Sequence, residues 1–168
     1  MTDNNNNRNM TFICSKGDLD MVYPALIMGW AALGNGVDVS IFFTFWGLDM
    51  IRKDRMDHLE IAPVANTSMK MSMMGVPGNI GIPQFMGVIP GMTAFATSLM
   101  KSKMAKLDVP CVREYLQMLI DAGAKLYPCK MSCDMFQLKK EDFIDGVQDI
   151  LTAGEFIDLT PGAQIIFI

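Results

Sequence analysis

Two cysteines are the residues of this sequence best placed for chemistry, because each lies at the end of a segment predicted to be a buried strand. Cys14 ends the segment at residues 10–14, and Cys129 follows the segment at residues 124–128. In open parallel sheets, functional sites form at the carboxyl ends of the strands. A thiolate at such an edge is a nucleophile. The sequence therefore predicts thiol chemistry, with Cys129 as its centre.

Four further residues are candidates to support Cys129. Lys130 follows it, and a nearby cation stabilises a thiolate. Cys14 has Lys16 close by and precedes a predicted helix, whose N-terminal dipole also favours a thiolate. Cys133 would share a face with Cys129 if the segment between them is helical. The alternative interpretation is structural, since a buried cysteine packs as a small apolar side chain.

Other kinds of site have weaker signals. His58 is the only histidine, which disfavours a Cys-His protease and a multi-histidine metal site. The methionines at positions 69, 71, 73 and 74 offer thioethers that suit soft metals, although they equally suit a flexible apolar lid. No cofactor is predicted, because the glycine-rich pieces match no dinucleotide or phosphate loop. A module that binds a small ligand or nucleotide without turnover remains the second hypothesis, and a soft-metal protein the third.

Composition and length place limits on the class of protein. The 168 residues are 51% apolar, which predicts one folded domain at residues 10–168 after a polar, disordered tail at residues 1–9. The net charge of −4 argues against a nucleic-acid partner. The longest apolar run, residues 21–33, is too short to cross a membrane. With no signal peptide, we expect a cytoplasmic protein with reduced thiols.

The positions of the predicted elements indicate an α/β fold. Strands are predicted at residues 10–14, 37–43, 124–128 and 164–168, with helices between them and a long Met-rich excursion at about 54–90. This alternation favours an open parallel sheet with helices on both faces. A fifth strand is expected near residues 144–147 or inside the excursion. Residues 44–47 would form the rim of a crevice at the sheet edge: Thr44, Phe45, Trp46 and Gly47.

Two expectations about neighbours follow from this arrangement. If the strands at residues 10–14 and 124–128 are adjacent, Cys14 and Cys129 could approach each other at the sheet edge. An exposed, methionine-rich apolar lid would suit a subunit interface, so we expect a homo-oligomer.

Four segments of the sequence together resemble the DsrE/DsrF/DsrH-like family. They are CSKGDLD at residues 14–20, FFTFWGL at 42–48, CKMSCDM at 129–135 and KKEDFIDGV at 139–147. The resemblance implies a three-layer α/β/α fold with about five parallel strands, and oligomers. It also implies a sulfurtransferase-like carrier that holds a persulfide or thiosulfonate on Cys129 and passes it to a TusA-like or rhodanese-like partner. Cys14 matches a less uniform position of the family.

Overall fold

The structure is a computed structural model that describes residues 8–62, 70, 81, 83, 85 and 89–168. The chain divides into two compact units. The first comprises the described residues of Met1–Gly17, Met21–Leu59 and Cys111–Ile168. The second comprises those of Asp18–Asp20 and Glu60–Pro110. The cysteines predicted to do chemistry all lie in the first unit.

The first unit is built on a sheet of four parallel strands. They are β1 (Asn9–Cys14), β2 (Asp38–Phe43), β3 (Lys125–Pro128) and β4 (Gln164–Phe167), in the spatial order β3-β2-β1-β4. Phe12 lies beside Ile41, and Ile41 beside Leu126, so the register is fixed by a row of apolar side chains. All-parallel sheets of this kind are typical of α/β proteins. The predicted fold class is therefore confirmed.

Five α-helices are present in the described part of the chain. They are α1 (Leu19–Gly34), α2 (Met92–Ala105), α3 (Val112–Asp121), α4 (Lys130–Phe136) and α5 (Ala153–Leu159). A 3₁₀ helix at Phe45–Met50 follows β2 directly. α1 begins immediately after Asp18, a residue type that favours a helix start. It ends at Gly34, the first residue of the run Gly34-Asn35-Gly36, which interrupts a helix. None of the described helices is long and apolar enough to cross a bilayer.

The strands alternate in side-chain direction, and helices cover both faces of the sheet. On one face, Gly29 of α1 lies close to Phe12 and Val39 of the sheet and to Leu119 of α3. On the other face, Phe156 of α5 packs against Phe42. This arrangement gives the three layers that the family resemblance implied, with the sheet in the middle.

The sheet has four strands in the described residues, and not the expected five. Residues 144–147 form a turn in which Gly146 has a φ of 89°, a left-handed conformation that interrupts an extended strand. Only Phe143 beside this turn makes an isolated antiparallel bridge, to Arg52. The other expected location, inside residues 54–90, lies largely outside the described residues.

The second unit contains α2 and the other described residues of Asp18–Asp20 and Glu60–Pro110. The hydroxyl of Thr97, which is buried in α2, accepts a hydrogen bond from the backbone N–H of Ile61 at 3.0 Å. Lys70 and Gly81 form an isolated antiparallel bridge. The methionines at 69, 71, 73 and 74, on which the soft-metal hypothesis depends, lie outside the described residues, as does the N-terminal tail up to residue 7.

Candidate functional site

Cys129 lies at the carboxyl edge of the sheet, where β3 gives way to α4. Its N–H donates to the carbonyl of Phe43 at 2.8 Å, so the ladder of β3 and β2 continues to this residue. Cys129 then becomes the N-cap of α4, and its own carbonyl accepts the N–H of Cys133 at 2.9 Å. The strand-to-helix turn therefore places this thiol at the edge where α/β proteins build their sites.

The surroundings of Cys129 are apolar and closed. The residue is only 4% exposed and forms a cluster with Phe42 and Phe156. The rings of Phe42 and Phe156 stack at 4.4 Å between centroids, and Tyr127 meets Phe156 edge-on at 5.7 Å. Ile13, Tyr127 and Leu151 border the cluster. Cys129 is therefore buried in an apolar cluster to which α5 contributes Phe156.

Cys133 is buried one turn further along α4. Burial above all, and the charge of an ionised Cys129 next, raise the pKa of the Cys133 thiol to about 11. Asp134 and Asp142 act in the same direction, while Lys130 lowers the pKa. The structure thus brings Cys129 and Cys133 within electrostatic reach of each other, and it keeps Cys133 protonated at neutral pH.

Lys130 is exposed, and it forms an ion pair with the carboxylate of Asp134. Its Nζ donates to both carboxylate oxygens of Asp134, at 3.1 and 3.2 Å. Exposed ion pairs of this kind contribute little to stability, because water screens them. Lys16 is also exposed, on the loop that follows β1. These two cations border the sheet edge from solvent.

Cys14 is buried at the end of β1, and the structure separates it from Cys129. β2 lies between β1 and β3, so the two thiols are not on adjacent strands. Cys14 is in register with Phe43, and Phe43 with Pro128. Because neighbouring positions along a strand point to opposite faces, Cys129 points away from the face that Cys14 occupies. Burial raises the pKa of Cys14 to about 12.

The rim segment (residues 44–47) follows β2 and is held to α4 by Ser132. The hydroxyl of Ser132, fully buried, accepts the N–H of Phe45 at 2.9 Å and lies 3.1 Å from the Thr44 hydroxyl. Sequence reasoning did not find Ser132. Its signal is the spacing, since position 132 is the third residue of a helix that starts after Cys129 and therefore faces inward beside Cys133.

The outer side of the rim segment is an exposed aromatic and methionine surface, which we call the rim patch. Trp46 is 61% exposed, stacks on Phe45 at 6.1 Å and meets Phe136 of α4 edge-on at 5.8 Å. Met131 and Met135 of α4 are exposed as well. Phe45 has a φ of 48°, uncommon for a residue with a side chain. The rim patch thus lies on the rim segment and on α4, the helix that Cys129 caps and to which Ser132 belongs.

The fourth cysteine lies away from this edge. Cys111 precedes α3, is exposed, and donates its backbone N–H to Glu114 Oε2 at 3.0 Å. All four cysteines are among the described residues, and all are free thiols. Within the described part of the chain, no three His, Cys, Asp or Glu side chains converge in a way that could hold a metal ion.

Comparison with known proteins identifies the family to which this arrangement belongs. A model of the DsrE/DsrF/DrsH-like family matches residues 6–168, nearly the whole chain. The chain belongs to that family. This membership confirms the resemblance that the segments around Cys14, Phe42 and Cys129 indicated.

Two curated relatives show how far the sequence similarity extends. The chain is 34% identical over 145 residues to the sulfur carrier protein DsrE2 of Allochromatium vinosum, covering 84% of this chain and 86% of that protein. It is 26% identical over 160 residues to YrkE of Bacillus subtilis, an uncharacterised protein, covering 94% and 95%. The similarity to a sulfur carrier runs through nearly all of both chains.

Solved structures that resemble this chain support the fold alone. MTH1491 of Methanobacterium thermoautotrophicum, of unknown function, aligns with a TM-score of 0.56 at 11% identity, covering 96% of this chain and 99% of that one. The ychN protein of E. coli aligns with a TM-score of 0.52 at 14% identity, covering 95% and 99%. At these identities the DsrE-like sheet is shared, and the chemistry has to be argued from the residues.

Proposed function

We propose that this DsrE-like chain is a sulfur carrier that holds sulfane sulfur on Cys129 and delivers it to the thiol of a partner protein. The observation on which the proposal depends is the placement of Cys129, a shielded thiol at the carboxyl edge of a parallel sheet. The 34% identity to a sulfur carrier supports the same role. A shielded position suits a carrier, because it keeps the bound sulfur away from small thiols in solution.

The proposed exchange consists of two thiol substitutions. The thiolate of Cys129 attacks a sulfane sulfur of the donor, a new S–S bond forms on Cys129, and the donor's leaving group departs with the electron pair. The acceptor's thiolate then attacks the outer sulfur, and Cys129 leaves as a thiolate. Such exchange requires an attacking thiolate and a good leaving group, and no external oxidant.

Cys129 is buried, and Phe156 of α5 belongs to the cluster that surrounds it. α5 has only seven residues, and Phe156 is its single buried side chain. Short elements with few buried contacts open at low free-energy cost. We therefore propose that donor and acceptor reach Cys129 when α5 swings away from Phe42.

The partner that we propose is a TusA-like or rhodanese-like protein, and the rim patch is the surface that suits it. Met131 and Met135 are exposed on α4, which Cys129 caps, and Trp46 is exposed on the rim segment, which Ser132 holds to α4. Aromatic and methionine side chains are favoured at protein interfaces. Free thiols at all four cysteines are consistent with a cytoplasmic setting.

The test of the carrier role uses tetrathionate as the sulfane-sulfur donor and intact mass as the readout. Because Cys111 is exposed and would react by itself, Cys111→Ser serves as the parent protein. We expect the parent to release thiosulfate and to gain its modification in the Cys129 peptide. Adding Cys129→Ser is expected to abolish this modification. An equal adduct on the double variant would refute the proposal.

We further propose a homo-oligomer that uses the β4 edge of the sheet. Ile165 and Phe167 of β4 are 59% and 69% exposed, and Ile157 and Leu159 of the neighbouring α5 are exposed too. Large exposed apolar surfaces of this kind mark interaction sites.

For the oligomer we expect Phe167→Lys to lower the mass measured by light scattering to that of a monomer. A lysine ammonium would have to be desolvated to lie in such an interface. The matched control is Gln164→Lys on the same strand, which is expected to leave the oligomer intact. A wild-type protein that is monomeric at all concentrations tested would contradict the proposal.

A further inference from the structure

Cys133 is a second buried thiol beside Cys129, and the sulfur exchange described above does not use it. It is 1% exposed and lies one helical turn after Cys129, whose carbonyl accepts its N–H at 2.9 Å. The pKa of Cys133 responds to the charge of Cys129. Two buried thiols within electrostatic reach form a dithiol that Cys14, on the other face of the sheet, does not join.

We propose, on the basis of the carrier function of Cys129, that Cys133 is a resolving thiol that displaces the sulfur cargo and closes a disulfide with Cys129. The cargo concerned is a sulfane group with an anionic leaving group, such as thiosulfate. Resolution empties the carrier without an acceptor protein and leaves it oxidised. The dithiol thereby sets how long cargo stays on this chain.

The reaction balances for tetrathionate as donor. The Cys129 thiolate first takes up an S₂O₃ group and releases one thiosulfate. The Cys133 thiolate then attacks Sγ of Cys129, a Cys129–Cys133 bond forms, and the second thiosulfate leaves with the electron pair. The two thiols lose two protons and two electrons, and tetrathionate, the oxidant, is reduced to two thiosulfates.

The backbone places the pair within disulfide range. Residues four apart in an α-helix have Cα atoms roughly 6 Å apart, since each residue rises about 1.5 Å along the axis. Disulfides bridge Cα atoms that are roughly 4.4–6.8 Å apart. The backbone hydrogen bond between Cys133 and Cys129 shows that the helical turn is closed at this point. A disulfide between Cys129 and Cys133 therefore requires the two cysteine side chains to rotate toward each other, while the helical backbone keeps its course.

The burial of Cys133 and the charges around it make resolution slow at neutral pH. In the free protein, burial above all, with the negative charges of Cys129, Asp134 and Asp142, raises the pKa of Cys133 to about 11, while Lys130 lowers it. When Cys129 carries cargo it is no longer a thiolate, and burial with the two aspartates keeps the pKa of Cys133 above its ordinary value. The thiolate fraction of Cys133 therefore grows about tenfold per pH unit below that value, and the rate of an exchange follows the thiolate fraction. Cargo is retained near pH 7 and expelled faster as the pH rises.

The experiment follows the Cys111→Ser parent by intact mass and by thiosulfate release after mixing with tetrathionate. We expect a transient S₂O₃ adduct, then a protein lighter by two hydrogens, with two thiosulfates released per chain. Adding Cys133→Ser should leave the adduct in place, with one thiosulfate released. Cys133→Ala is made as well, and circular dichroism confirms that each variant is folded. Cys14→Ser, the buried thiol of the other face, should behave as the parent does.

The outcomes separate this inference from the carrier proposal. If the adduct forms on Cys129 but persists in the parent as long as in both Cys133 variants, resolution by Cys133 is wrong and the carrier role stands. A disulfide that maps to Cys14 would also overturn it. A rate of adduct loss that does not rise by about tenfold per unit between pH 7 and 9 would contradict a rate-limiting Cys133 thiolate. If Cys129 takes no adduct at all, the carrier proposal itself fails.

Discussion

Gly47→Ala is expected to lower the free energy of unfolding by on the order of 3 kcal/mol or more, since overpacking against a rigid neighbour has no cheap relief. A Cβ at position 47 would overlap the carbonyl oxygen of Cys14 and lie 2.7 Å from its carbonyl carbon. Both groups belong to the backbone, and the same carbonyl accepts the N–H of Thr44 at 2.9 Å. If the rim segment moved away from β1 to relieve this overlap, the hydrogen bond between Thr44 and the Cys14 carbonyl would be lost.

The matched control for Gly47 is Gly34→Ala, at the end of α1. A Cβ there meets no atom within 4 Å. Alanine is the better helix former, so this control is expected to be neutral or to stabilise by up to about 1 kcal/mol. Urea unfolding curves of the two variants measure both effects. A Gly47→Ala protein as stable as wild type would show that the rim segment adjusts in a way the structure does not indicate.

Phe156→Ala is expected to lower the free energy of unfolding by about 3–5 kcal/mol and to accelerate the alkylation of Cys129. Phe156 is 3% exposed and fills the space between Phe42 and Tyr127. Removing its ring both opens a cavity and weakens the attachment of α5. The thiol beneath should then meet iodoacetamide more often, because access depends on this helix.

The neighbouring Asp158 provides the control, because it lies on the same helix, is exposed, and is not part of the proposed oligomer surface. Asp158→Ala should change the free energy of unfolding by less than about 0.5 kcal/mol, as is usual for surface positions. It should also leave the alkylation rate of Cys129 unchanged. Peptide mapping distinguishes alkylation of Cys129 from that of the exposed Cys111. Loss of stability in Phe156→Ala without faster alkylation would mean that α5 does not control access to the thiol.

The strands of the sheet could be predicted from the sequence because each is a short apolar run bounded by turn residues. Residues 10–14, 37–43, 124–128 and 164–168 all correspond closely to observed strands. The start of α5, at Ala153, is marked by a local sequence pattern. Thr152 and Glu155 form a capping box there, in which Glu155 Oε2 accepts the N–H of Thr152 at 2.7 Å. That spacing was readable, and it fixes the helix start.

The order of the strands could not be predicted, and it decides which thiols meet. Local patterns place Cys14 and Cys129 at the same sheet edge, but they say nothing about which strand lies between them. Only the observed order shows that β2 separates the two and that they point to opposite faces. Ser132 was missed for a related reason, because its partners Thr44 and Phe45 are 88 and 87 positions away in sequence.

The pairing of β4 with β1 has a consequence for how the protein folds. Ser15 donates its side-chain hydroxyl to the carbonyl of Ile168, a contact that spans 153 positions of sequence. Closing so long a loop lowers the chain entropy before the contacts between the strands can stabilise the pair. Non-local pairing of this kind slows folding. The neighbouring pair β1 and β2 closes a much shorter loop through α1. The nucleus of the sheet should therefore form around β1 and β2, and β4 should dock last, leaving one edge of β1 unpaired until the fold is complete.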